Sequence, residues 1–381
     1  MTYPLNLIHK KAVRKVNANP ILNMARKKKK TENGFSDEIE NQPQAKIATL
    51  KKIDEYEQSK PVQLNLFELL LPEEKNFSNT VELYDFIPKY FWGKVIRIEG
   101  EFLRALSREF ECRGKRYKVK IDPAKLTDGE GNSLDYYPSK REELVEDALR
   151  KFACEGQGLF LDDAAGVTFT LYQLQKELQE SGHTYSKDQI KDALMVCAKT
   201  NITVTSDNED TILISSLFET LGLQTREDWE GTGEKTRAFV RFNPLVTQGI
   251  KSRQFRQFNY KKSMSYKSVI ARQLHKRMAH NYTQASFSNL YSISLSTIIR
   301  DFGLTKYGKL TQNLRDCLFA LDEMKQKRVI LGYKVEKTID ANRKNKLLDA
   351  KIIITPDPNF ADEVVKANLK QKQIHESEES E

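Results

Sequence analysis

At 381 residues, with 30% charged and 39% apolar side chains, the chain is long enough for two or three domains with buried cores. Its apolar runs fall far short of the roughly 18 residues a membrane span needs. The N-terminus lacks the continuous apolar stretch of a secretory signal, and four dispersed cysteines without a CxxC pair argue against a disulfide or zinc framework. The setting expected is therefore the cytoplasm, with no membrane contact and no structural metal. The net charge is +9, and its distribution is more telling than its size. Over 246–349 there are about three basic residues for each acidic one, the electrostatic footprint of a polyanion binder.

Residues 1–60 are poor in large apolar side chains and hold the run RKKKK at 26–30, which predicts a flexible basic and polar arm. The run is either a solvated charge block or a set of phosphate contacts. KPVQLNLFELLLPEE, at 60–74, then crowds leucines around Phe67 within a linker spanning 61–78. Over 79–137 the loose alternation of Val81, Leu83, Asp85 and Ile87 and the run RYKVKIDPAKL predict a small strand-rich subdomain.

The next unit, 138–244, opens on a helix marked by Ser139 as N-cap and Glu142 three residues on, with Leu144, Ala148, Leu149 and Phe152 sharing a face. The apolar run GLFL reads as a strand. Thr170 with Gln173, and Ser186 with Gln189, open two more helices that bury Leu171, Leu174 and Leu178, then Ile190, Leu194 and Cys197. NITVT and TILISSLF follow as strands around the turn SDNED. This element order describes a winged helix.

A second copy of the order spans 245–356. A basic helix is expected over 263–282, with Tyr266, Ile270, Leu274 and Met278 in register. Ser294 opens the next helix, Leu295, Ile298, Ile299 and Phe302 share its face, and Gly303 closes it. A long helix then buries Leu310, Leu314, Cys317, Leu321 and Met324. VILGYKV and LLDAKIII flank the charged tip EKTIDANRKNK, an exposed wing. Residues 357–381 are expected to form a C-terminal helix and an acidic, disordered tail, HESEESE. The fold class predicted is α+β: tandem winged-helix domains, each a helix-turn-helix with a β-wing, behind a small N-terminal strand-rich subdomain and a flexible arm.

In a helix-turn-helix the second helix lies in the major groove. In the second unit its polar face carries Lys309, Gln312, Asn313 and Asp316; Gln and Asn suit adenine, while Lys309 and Arg315 suit guanine or phosphate. Such a face also occurs on any amphipathic helix, but the cations around it favour DNA. These are Lys306 in the turn, Arg343, Lys344 and Lys346 on the wing, and the run Arg253, Arg256, Lys261, Lys262, Lys267 and Arg272. The first unit's equivalent helix offers Lys187, Gln189 and Lys191 and is less basic, so it either reads DNA or makes a dimer. Catalysis is not expected. No GxxxxGK[ST] loop is present, Asp162 and Asp163 lack a third carboxylate at two-metal spacing, and no cofactor is implied.

NTVELYDFIPKYFWG, YYPSKREELVEDALRKFA, GVTFTLYQLQKELQESGHTYS and FNPLVTQGIKSRQFRQFNY, followed by the paired units, resemble the plasmid-encoded RepA-type replication initiators, related to the TrfA type, over about 60–356. The resemblance implies an initiator that binds direct repeats (iterons) in double-stranded DNA at a plasmid origin and helps open an AT-rich segment. It also implies recruitment of host DnaA, helicase and polymerase machinery, and copy-number control through a monomer–homodimer balance. In that light Gln63, Leu64, Asn65, Leu66 and Phe67 resemble the short peptide by which bacterial proteins dock on the replicative sliding clamp, with Asn65 departing at its variable central position. The other reading is a staple that packs the arm on the following subdomain. A transcriptional repressor built from the same folds is the alternative function, and it has no use for a clamp peptide.

Overall fold

The computed structural model describes residues 76–96, 101–127, 130–208, 211–223, 237–305, 310–343 and 345–379. The basic arm, the peptide Gln63, Leu64, Asn65, Leu66 and Phe67, and the cations Lys306, Lys309 and Lys344 lie outside them. The architecture is mixed α and β, with two hydrophobic cores. Among the described residues no helix is long and apolar enough to cross a membrane, and the four cysteines are buried and form no disulfide.

The chain enters through β1 (Phe77–Val81), a one-turn helix α1 (Glu82–Phe86), the hairpin β2 (Leu106–Cys112) and β3 (Lys115–Asp122), and a second hairpin β4 (Ala124–Thr127) and β5 (Ser133–Tyr136). The strand expected through Val81, Leu83, Asp85 and Ile87 is broken by α1. The reason is local: the Val81 N–H donates to Asp85 Oδ2 at 2.6 Å, closing a helical turn.

Helix α2 (Lys140–Phe152), strands β6 (Gly158–Leu161) and β7 (Ala164–Phe169), helices α3 (Leu171–Glu180) and α4 (Lys187–Lys199) and the hairpin β8 (Asn201–Ser206) and β9 (Ile212–Ser216) follow. The three helix starts carry the caps that the sequence predicts. Glu142 accepts from the Ser139 N–H at 2.8 Å, Gln173 from the Thr170 N–H at 2.8 Å, and Gln189 from the Ser186 N–H at 2.9 Å. Strands β10 (Phe218–Leu223) and β11 (Ala238–Phe242), helix α5 (Pro244–Lys251) and strand β12 (Phe255–Asn259) complete this half.

The pairing differs from a simple subdomain followed by a unit. β2–β3 joins β8–β9 in one antiparallel sheet ordered β2-β3-β8-β9, while β7 lies in a separate sheet ordered β10-β11-β7-β6. Residues expected to form a subdomain of their own thus extend the first unit's sheet, and Phe110, Val119 and Ile121 share a core with Leu149 and Leu194. Val246, Ile250, Phe255, Phe258 and Met264 also belong to that core. The boundary drawn at 244/245 falls inside it; the second core begins at Tyr266, while Ala279 and Ile374 still pack in the first.

The basic helix expected over 263–282 is two helices, α6 (Tyr260–Met264) and α7 (Val269–Asn281). Glu323 sets the break by accepting from the Lys267 and Ser268 N–H groups at 2.6 and 2.9 Å. Then come β13 (Tyr291–Ser294), α8 (Leu295–Asp301), α9 (Leu310–Gln326), the long strands β14 (Ile330–Asp340) and β15 (Lys346–Pro356), and α10 (Pro358–Glu379). The last helix runs well into the stretch expected as a disordered tail. Here the strand before the helix pair does join the hairpin, in the order β13-β15-β14. Gly303 closes α8 at φ +63, the left-handed backbone that favours glycine, with the Arg108 guanidinium packed where a Cβ would lie.

Candidate nucleic-acid interface

The second core fixes what the outer faces of α9 and the hairpin can present. Leu314, Cys317, Leu321 and Met324 turn inward, which leaves Thr311, Arg315, Phe319, Asp322 and Gln326 as the solvent stripe of α9. Arg315 is exposed there and donates to Gln312 Oε1 at 3.3 Å, and Gln312 donates to Asp316 Oδ1 at 2.9 Å. Asn313, expected to read bases, is 2% exposed and donates to the Thr305 carbonyl at 2.9 Å. Its position lies one step around the helix from the predicted face, so it ties α9 to Thr305, just beyond α8. Thr311 and Phe319 went unnoticed in the sequence; Phe319 is 60% exposed and could have been found by setting Ala320 inward in its place.

Beyond the core, β14 and β15 continue as a two-stranded arm whose residues Glu336, Lys337, Thr338 and Ile339 are exposed on both faces. Arg343 and Lys346 sit at its exposed tip, Arg343 loosely paired with Asp340 at 3.7 Å. Lys337 and Lys351 lie exposed on the same arm and add to the expected set. The Ser296 N–H and hydroxyl bind Asp349 at 3.0 and 2.6 Å, which ties the start of α8 to the base of the arm.

The run of basic residues that led into this unit is divided by the fold. Arg272 is 0% exposed and forks onto Glu143 of α2 at 3.0 and 2.8 Å, with Gln273 on the same carboxylate at 2.7 Å. Lys276 grips Asp147 at 2.7 and 2.6 Å one turn along. The carboxyl of Glu143 is raised by burial, but Arg272 and Lys276 outweigh that and hold it below the usual carboxylate range. Arg272 is therefore corrected from a DNA contact to a clamp between the two cores: a guanidinium without solvent access cannot meet phosphate.

Arg253 donates to the Ile374 carbonyl at 2.8 Å. Arg256 donates to the Ala279 carbonyl at 3.2 Å and to Asn368, and Lys262 pairs with Glu363 at 2.9 Å. All three tie α10 to the chain in and around β12, and all three remain half-buried rather than enclosed as Arg272 is. Lys261 and Lys267 remain exposed. In the first unit Lys187 is exposed and Lys191 half-buried, while Gln189 is spent on its capping box. Of the predicted set, Arg315, Arg343, Lys346, Lys261, Lys267 and Lys187 are exposed, Asn313 and Arg272 are buried, and the half-buried Arg253, Arg256 and Lys262 are tied to α10.

No family model matches the chain, and no curated protein does. Among solved structures, two crystal structures of RctB domains 2 and 3 are 12% and 11% identical, cover 68% and 71% of this chain and 94% and 96% of their own, and have a TM-score of 0.42 each. The Pi initiator protein in complex with iteron DNA is 13% identical over 57% of this chain and 91% of its own, at a TM-score of 0.40. The chain is similar to RctB domains and to an initiator.

Proposed function

We propose that the protein is a non-enzymatic replication initiator that binds repeated sites in double-stranded DNA through tandem winged helices, opens the adjacent duplex and recruits host replication proteins from the bacterial cytoplasm. The observation that carries this reading is the β14–β15 arm. It projects cations on both sides of a hairpin beside the exposed face of α9, as a groove-reading helix flanked by a phosphate-contacting wing requires. The first unit has the same element order in α2, β7, α3, α4 and β8–β9, and Lys187 on its second helix is available to a neighbouring stretch of duplex. Clamp docking through Gln63, Leu64, Asn65, Leu66 and Phe67, and copy control by dimers, belong to the same proposal.

The test is binding to direct repeats beside the coding region, followed by probing for unpaired bases. Tight binding to repeats with strand opening is the result expected. Binding without opening supports a repressor instead, and equal affinity for unrelated duplex overturns sequence-specific recognition.

A further inference from the structure

The surface where the two cores meet holds a cavity of about 670 Å³, within the size range of small-molecule sites and at the kind of inter-unit junction where they occur. Its walls come from α1, the β2–β3 turn, the start of β12, the end of α7 and α10, and they carry four arginines against two glutamates. Both glutamates are already neutralised. Glu82 is held by Arg113 and faces His280 Nε2 at 3.4 Å, and Glu111 pairs with Arg300 at 3.2 Å.

Arg277 is taken by Asp301 at 3.0 Å. Arg256 is different. Its two hydrogen-bond acceptors, the Ala279 carbonyl and the Asn368 amide oxygen, are neutral, so among the described residues this half-buried guanidinium meets no carboxylate. Burial alone lowers its pKa, as expected for a cation removed from water without a counter-charge.

A second observation is independent of charge. Of the arginines lining the cavity, Arg113 has a left-handed backbone at φ 51, a conformation that costs a non-glycine residue about 1 kcal/mol or more and that collects at ligand sites, whereas the same conformation at Arg253, φ 53, is the cap that ends α5, with the Gln254 N–H on the Gly249 carbonyl at 2.8 Å. At Arg113 the turn is the two-residue hairpin type that favours Asn-Gly, yet the sequence places Arg before Gly114.

We propose that this cavity binds a small phosphate-bearing anion of nucleotide size, with Arg256 as its charge partner and Arg113, paired with Glu82, at the rim. A ligand there touches elements of both cores and the helix that straps them, so its binding couples to how the two DNA-binding units are held. This is separate from the wing's contact with DNA.

The experiment is calorimetric titration of the full chain with ADP and with inorganic pyrophosphate. Both should bind, with affinity at least about tenfold weaker in Arg256→Gln, since a charge-assisted bond is lost. Gln254→Glu, at an exposed rim position with no side-chain hydrogen bond among the described residues, adds a negative charge and should weaken binding similarly without lowering Tm. Lys346→Ala should leave ADP affinity unchanged while weakening DNA binding. Absence of binding, or equal affinity in both cavity variants, overturns the proposal. So does displacement of ADP by a saturating non-specific duplex, which would assign the position to a backbone phosphate of DNA.

Discussion

The basic residues of α7 and those of the β14–β15 arm are indistinguishable as sequence and opposite in structure. On α7, Arg272 and Lys276 are buried against Glu143 and Asp147 of α2, an ionic seam that joins the two cores. On the arm, Arg343 and Lys346 stand in solvent, and among the described residues the ion pair they make is a loose contact of Arg343 with Asp340. A cation's partner decides its role. Where two amphipathic helices bring opposite charges face to face, cations become architecture; where a hairpin runs past its core, they remain available to a polyanion.

The seam makes the largest prediction. Arg272→Met should cost about 3–5 kcal/mol of stability in urea unfolding, because Glu143 is left charged and buried, and adding Glu143→Leu should restore most of it. A variant that kept its stability and lost DNA affinity would erase the distinction between the regions. Asn313→Ala should cost about 1–3 kcal/mol of stability through the orphaned Thr305 carbonyl and leave base preference unchanged. A shifted base preference in a binding-site selection would return Asn313 to the interface.

His275 tests the second core by pH. It is 0% exposed, and burial, with Lys262 and Lys276 nearby, pushes its imidazole down from 6.5 to about 3. Because the folded value is the lower one, the unfolded chain takes up the proton first. Stability is complete above pH 6.5 and declines by about 1.4 kcal/mol per pH unit as the pH falls toward 3. In His275→Leu that part of the slope should vanish from a urea titration repeated across this range. Asp85, by contrast, is raised by burial but drawn down to about 2 by Arg150, Lys89 and Lys276, so its contribution is lost only below pH 4.

The smallest effect belongs to the arm. Lys346→Ala should leave unfolding unchanged and reduce the salt dependence of DNA binding by about one unit on any sequence. An unchanged salt slope would remove the arm from the phosphate contacts.

Much of the local structure was legible because its causes are local. Ser139 with Glu142, Thr170 with Gln173, Ser186 with Gln189 and the closing Gly303 each act within a few residues, and the periodicity of Leu314, Cys317, Leu321 and Met324 set the inner face of α9. The site was less legible. Asn313 sits on the edge between the polar and apolar faces of its helix, and periodicity does not say which way such a position turns. α1 looked like a strand because alternation in Val81, Leu83, Asp85 and Ile87 carries no sign of the Asp85 carboxylate folding back on the Val81 amide.

By itself, then, the sequence determined the capped helix starts at Ser139, Thr170, Ser186 and Ser294, the projecting charged hairpin and a basic second half, since propensity, capping and periodicity act over short spans of chain. Tertiary structure alone decided that β2–β3 extends the first unit's sheet, that the first core reaches past the 244/245 boundary, that Arg272 is enclosed, and that Arg256 and Lys262 are tied to α10. Those outcomes rest on partners far away in the chain, Glu143 for Arg272 and Glu363 for Lys262. A charge in a sequence shows that it needs a partner, and only the folded chain shows whether one is already there.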